Sequence, residues 1–170
     1  MKKRYNIALR PINQVHQFIE FARNFAFLAD SYLLGKKSFP HLTLCQFFVE
    51  EMDLARIWRQ VNDALDSRLI FLSFSRYSFI TAKSYYWVSL IPDYCDVLFK
   101  MHYAVANIIR DPINRSFEQY DPHITLINTK AEDYEEKVKQ NIPVPPLLAD
   151  TFILSLGKSD DVGQFVEVIQ

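Results

Sequence analysis

Little in this 170-residue chain is in excess, and its scarcities bound it first. Lysine and arginine number 19 against 20 acidic residues, a formal net charge of -1. That balance gives no global reason to bind a long polyanion, so any nucleotide contact has to be local and small. The two cysteines, Cys45 and Cys95, form neither a disulfide framework nor a structural zinc set. No run approaches the roughly 18 apolar residues of a membrane span. The opening Met-Lys-Lys-Arg-Tyr-Asn-Ile-Ala lacks the apolar stretch of a signal peptide. The expectation is a chain in the reducing cytoplasm with no membrane contact. Glycine occurs only three times. Gly35 falls where a helix should stop, and Gly157 and Gly163 bracket a turn between two strands.

What the chain does have is apolar and aromatic mass. Hydrophobic residues make up 49%, with 14 Phe and 9 Tyr, enough for one core spanning residues 1–170 as a single domain with two lobes. Residues 5–9 alternate as a short strand that Pro11 ends. Asn13 is placed to cap a long helix over about 14–34. A strand runs from about Phe39 to Val49, and Asp53 opens a second helix with Leu54, Ile57, Val61 and Leu65 inward. Residues 69–76, 78–82 and 85–91 read as strands, and a third helix covers about 94–110. Residues 113–121 are loop-like and lead to a strand at 122–127, followed by a charged helical segment at 131–140. The three prolines within Ile142–Pro146 read as a surface connection, and 151–156 and 164–169 as two strands. The order predicts an α+β fold of antiparallel sheet backed by helices.

One short pattern occurs twice: Pro40-His41-Leu42-Thr43-Leu44 and Pro122-His123-Ile124-Thr125-Leu126. In a strand, residues two apart share a face, so each copy presents a His and a Thr together. Half of the four histidines lie in this repeat, 82 residues apart. Histidine titrates near neutrality, so one imidazole can take a proton while the other gives one. Threonine hydroxyls can donate to phosphoryl oxygens and stabilise their charge. Two such pairs around one phosphate make a symmetric cradle that needs no metal. No close ligand spacing such as His-x-x-x-His is present, so neither metal nor cofactor is expected. In a regular strand Cys45 would share the face of His41 and Thr43.

Paired His-x-Thr motifs with hydrophobic neighbours are the signature of the 2H phosphoesterase superfamily, and the chain resembles it over nearly its whole length. That family includes 2'-5' RNA ligase-like and 2',3'-cyclic nucleotide phosphodiesterase proteins. The resemblance implies a bilobal α+β fold of two pseudo-symmetric halves, with a central groove that binds a phosphodiester or cyclic phosphate. It carries catalytic roles to His41, Thr43, His123 and Thr125. The RNA ligase-like branch often has Arg five residues after its second His, where this chain has Asn128. It usually follows its first motif with Phe-Leu-Gly, where this chain has Cys45-Gln46-Phe47-Phe48.

Around those four, Tyr85, Trp87 and Tyr120 are candidate base contacts, because aromatic faces accept bases with little sequence preference. Arg10 and Lys83 are candidate phosphate neighbours, as is Arg76. His16 and His102 read as ordinary helix residues. The expected function is hydrolysis of a 2',3'-cyclic phosphate or related 2'-5' phosphodiester, with a nucleotide or short RNA end as partner and no obligate protein partner. The alternative is a non-catalytic nucleotide- or RNA-binding protein that keeps the same groove.

Overall fold

Each half of the chain runs strand, helix, motif strand, helix, strand. The computed structural model describes residues 1–82, 85–109, 112–113, 120–130, 133–141 and 147–170. The first half comprises β1 (Lys3–Pro11), α1 (Val15–Arg23), a two-residue β2 (Tyr32–Leu33), β3 (Leu42–Val49), α2 (Leu54–Asp63) and β4 (Leu69–Ala82). The second comprises β5 (Tyr85–Pro92), α3 (Asp96–Ile108), β6 (Ile124–Thr129), α4 (Tyr134–Asn141), β7 (Leu148–Ser159) and β8 (Phe165–Val168). The fold is α+β, as expected, and every described strand pairing is antiparallel.

The strands follow the order β2-β6-β5-β4-β7-β1-β3, with β8 added to β7. The strand after the second helix of each half pairs with the first strand of the other: β4 with β5, and β7 with β1. Leu69–Phe74 of β4 also pairs with Leu148–Ile153 of β7, which joins the two lobes. Beyond that seam the strands part, β4 following β5 and β7 following β1. Pairing therefore skips Ser75, leaving a bulge in one continuous strand of 14 residues where the sequence predicts two strands. Ser73 and Ser75 there donate to the Asp93 carboxylate at 2.6 and 2.5 Å.

Helix α1 packs Phe18 edge-on against Phe74 of β4 and Phe152 of β7, with ring centroids 5.4 and 5.7 Å apart. Its first turn is held from a distance. The buried Asp150 carboxylate accepts the Asn13 and Gln14 backbone N–H groups at 2.8 Å each. Asn13 does not cap the helix but donates its own side-chain amide to Asp150 at 2.8 Å. The helix ends at Arg23, well short of the long helix that the apolar spacing predicts. The following residues serve the sheet instead: Tyr32 and Leu33 pair with Asn128 and Ile127, covering the outer edge of β6.

Candidate functional site

Both copies of the repeat enter their strands in the same way and carry the same irregularity. Against β1, Ile7 pairs with Cys45 and Ala8 with Thr43, which leaves Leu44 as an extra residue. Against β5, Val88 pairs with Ile127 and Ser89 with Thr125, which leaves Leu126 extra. A β-bulge therefore follows each motif threonine, and a bulge shifts which residues share a face. The consequence is plain at Cys45. It is buried beneath the strand, its thiol is pushed up to about 12 by burial, and it does not line the groove. Gln46 lines the groove instead, as does Asn128 at the matching place. The repeat is thus seven residues long, ending Thr-Leu-Cys-Gln in one half and Thr-Leu-Ile-Asn in the other.

The two motif strands stand far apart in the strand order, yet His41, Thr43, His123 and Thr125 line one groove of about 620 Å³. The imidazoles are fixed alike. His41 Nδ1 lies 2.8 Å from the Phe39 carbonyl, and His123 Nδ1 lies 2.8 Å from the Asp121 carbonyl. A carbonyl only accepts, so each Nδ1 carries the proton and each Nε2 keeps its lone pair in the neutral ring. Their environments differ. His41 is 7% exposed and its ring lies 5.5 Å from that of Phe165. Burial lowers its pKa to about 4, and the neighbouring His123 pushes the same way, against the Phe39 hydrogen bond and Asp160. His123 keeps 30% of its side chain exposed, and the Asp121 carboxylate lies 3.7 Å from its Nδ1. A protonated ring there has a counter-ion at hand.

Thr43 Oγ1 accepts a hydrogen bond from the buried Asn6 side-chain amide at 3.1 Å. With that lone pair used, the hydroxyl proton is available to a ligand in the groove. Gln46 accepts from Arg4 at 2.5 Å and donates to the Gly163 carbonyl at 2.6 Å. Arg4 also donates to the Asp161 carbonyl at 2.7 Å, so it anchors the loop before β8 as well as lining the groove. Gly163 has φ +96°, and a Cβ there would meet Arg4 Nη2 at 2.6 Å. Across the groove Asn128 faces Trp87: with its Oδ1 turned to the indole it accepts from Trp87 Nε1 at 3.3 Å.

Of the other sequence-predicted residues, Trp87 and Tyr120 line the groove. Arg10 donates to Ser155 Oγ at 3.0 Å and does not line it; among the described residues the arginine that does is Arg4. Arg76 and His16 are exposed elsewhere. Lys83 and the Tyr85 side chain lie outside the described residues. His102, read as an ordinary helix residue, is buried in the wall of the groove. Among the described residues no three His, Cys, Asp or Glu side chains are grouped to hold a metal. No described helix is long and apolar enough to cross a membrane.

With this arrangement in view, the sequence profile of the 2'-5' RNA ligase superfamily matches residues 13–161. The chain belongs to that superfamily. This is the 2H phosphoesterase assignment expected from the paired motifs. Among solved structures, Escherichia coli LigT complexed with 3'-AMP is similar at 13% identity and a TM-score of 0.62, over 94% of this chain and 89% of that one. A crystal structure described as a phosphoesterase is similar at 15% identity and a TM-score of 0.59, over 93% and 89%. Kluyveromyces marxianus Usb1 is similar at 9% identity and a TM-score of 0.51, over 99% and 95%. At these identities the likeness is one of fold. No curated protein matches the sequence.

Proposed function

We propose that this 2H superfamily member is a metal-independent phosphoesterase acting on a 2',3'-cyclic phosphate, or a related 2'-5' phosphodiester, of a nucleotide or short RNA end. One observation carries the proposal: two His–Thr pairs line one groove, and each imidazole is tethered through Nδ1 with Nε2 left for chemistry. His41, buried and neutral across the physiological range, is the general base. Its Nε2 takes a proton from water as the water oxygen bonds to phosphorus. The bond from phosphorus to one ribose oxygen breaks, and His123 Nε2 protonates that oxygen. The product is a phosphomonoester. Thr43 and Thr125 donate to the non-bridging oxygens, whose charge grows in the transition state. Trp87 offers an aromatic face for a base, beside Asn128 and Tyr32. The co-crystallised 3'-AMP of LigT makes a nucleotide monophosphate a reasonable first probe.

The assay is turnover of 2',3'-cyclic nucleotides by the purified chain with a chelator present. Wild type should turn over, and His41→Ala and His123→Ala should each lose about 10²–10⁴-fold in rate. The dependence of kcat/KM on pH should be bell-shaped, its acid limb near the low value of His41. A bound phosphodiester anion raises that value, so the acid limb of kcat should lie higher. Binding of nucleotide without turnover would instead support a non-catalytic binding protein. Turnover abolished by chelator and restored by a divalent ion would overturn the metal-independent mechanism.

A further inference from the structure

The two motif strands both need their outer edges closed, and beside the motifs they are closed by different means. An exposed strand edge leaves backbone groups without partners. On β6, a stretch of backbone does the work: Tyr32 and Leu33 pair with Asn128 and Ile127, and the Leu34 N–H donates to the carbonyl of the bulged Leu126 at 2.9 Å. On β3, backbone covers the stretch after the motif, where the Ile113 N–H donates to the Gln46 carbonyl at 2.7 Å and Phe47 bridges Pro112. Beside the motif itself, the carbonyl of the bulged Leu44 receives His102 Nδ1–H at 2.8 Å. The carbonyl before it, on Thr43, receives the Tyr120 hydroxyl at 2.9 Å. The two rings stack face to face, with centroids 3.8 Å apart and planes within 4°. Phe99 also meets Tyr120 edge-on, with ring centroids 5.6 Å apart.

Both side chains come from the second half. His102 lies on α3, and Tyr120 stands three residues before His123. We infer that the stacked His102–Tyr120 pair is a brace that sets the distance and orientation of one His-x-Thr motif relative to the other. His102 and Tyr120 are thereby positioning residues for His41 and Thr43. The brace gives a reason for a histidine at a buried site where its Nε2 has no partner among the described residues. An apolar residue would avoid that orphan atom but would strand the Leu44 carbonyl. It also explains why the Tyr120 hydroxyl, on a groove-lining residue, is committed to backbone. The inference rests on the phosphoesterase reading only for its kinetic consequence.

Three variants test it. Tyr120→Phe removes one hydrogen bond and keeps the ring. His102→Leu removes the donor at similar bulk, and His102→Asn keeps an N–H near the place of Nδ1. On a 2',3'-cyclic nucleotide, Tyr120→Phe and His102→Leu should each lower kcat about tenfold with KM within about twofold, because small misplacement of catalytic groups is costly. His102→Asn should recover most of the loss. Unchanged kcat in both Tyr120→Phe and His102→Leu, or a His102→Asn variant no better than His102→Leu, would overturn the brace. A second readout needs no turnover. His123 and Asp160 are the charged groups that act on His41, so a shift between the motifs must move the titration curve of the His41 imidazole followed by NMR. Displaced curves in Tyr120→Phe and His102→Leu support the brace, and curves superimposed on wild type overturn it. If wild type itself shows no turnover, the phosphoesterase reading fails and the NMR titration alone decides the brace.

Discussion

In the first half the motif imidazole, His41, is buried against Phe165, and beside the motif its strand edge is closed by the side chains of His102 and Tyr120. In the second half His123 is partly exposed beside Asp121, and its strand edge is closed by the backbone of β2. Down each strand the carboxamide that follows is engaged differently too. Gln46 accepts from the guanidinium of Arg4, and Asn128 from the indole of Trp87. One repeated pattern thus supplies chemically equal groups, and the surroundings make them unequal. A two-histidine mechanism needs that inequality, because the two rings must hold different protonation states at the same pH.

The sharpest way to break the comparison is to remove the need for one proton. A phosphodiester whose leaving group is a nitrophenolate departs without protonation, so the acid becomes dispensable and the base does not. With such a substrate His123→Ala should regain about 10²-fold or more of its lost rate, and His41→Ala should regain little. The measurement is the ratio of variant to wild-type kcat/KM on the activated and the natural-type substrate. Recovery in His41→Ala instead would exchange the two roles.

The environment of His41 also predicts a stability difference between the halves. Its folded pKa, lowered to about 4, lies below the ordinary 6.5. Between those values the unfolded chain binds the proton and the folded chain does not. Stability therefore rises with pH across this window, and is lost as pH falls from 6.5 towards 4. The full window amounts to about 3 kcal/mol. Asp150 acts in the same direction at lower pH. Burial alone would raise its carboxyl, but hydrogen bonds from Gln14, Asn13 and Thr151 outweigh burial and hold it below the ordinary range. In urea titrations from pH 7 to 4, His41→Gln should flatten the loss relative to wild type. An unaltered slope would mean that the buried ring contributes no linkage.

Much of the site was legible because it obeys a period of two. His41 and Thr43, and His123 and Thr125, share a face as the spacing predicts. What lay beyond the threonines was not, because a bulge at Leu44 and at Leu126 reverses the alternation. A trace of it stands in the sequence: two successive apolar residues and then an amide, in both copies. That signal would have placed Gln46 in the groove and Cys45 beneath it. His102 and Tyr120 left no such trace, since they meet carbonyls of β3 that lie 58 and 77 residues away in the chain. The shortened α1 failed for another reason. The apolar residues after Arg23 keep helical spacing, but Phe25 to Ala29 tighten into successive three-residue turns, and the chain beyond them pairs with the open edge of β6 at Tyr32 and Leu33.

The smallest expected difference concerns the two hydroxyls. Thr43 Oγ1 accepts from Asn6 at 3.1 Å, which orients its proton towards the groove before any substrate arrives. Asn6 sits opposite Gln46 on β1, and the residue opposite Asn128 on β5 is Trp87, which serves the amide and not the threonine. Pre-orientation makes a donor worth more in the transition state, because no reorganisation is required as charge develops. Thr43→Val should therefore cost more in kcat than Thr125→Val, by about tenfold, with each variant slower than wild type. Asn6→Ala, which leaves the hydroxyl but frees its rotor, should fall between wild type and Thr43→Val. Combined with Thr43→Val it should add little, since the two act through one proton. Equal losses for the two threonines, or an additive double variant, would mean that the halves differ at their histidines and not at their hydroxyls.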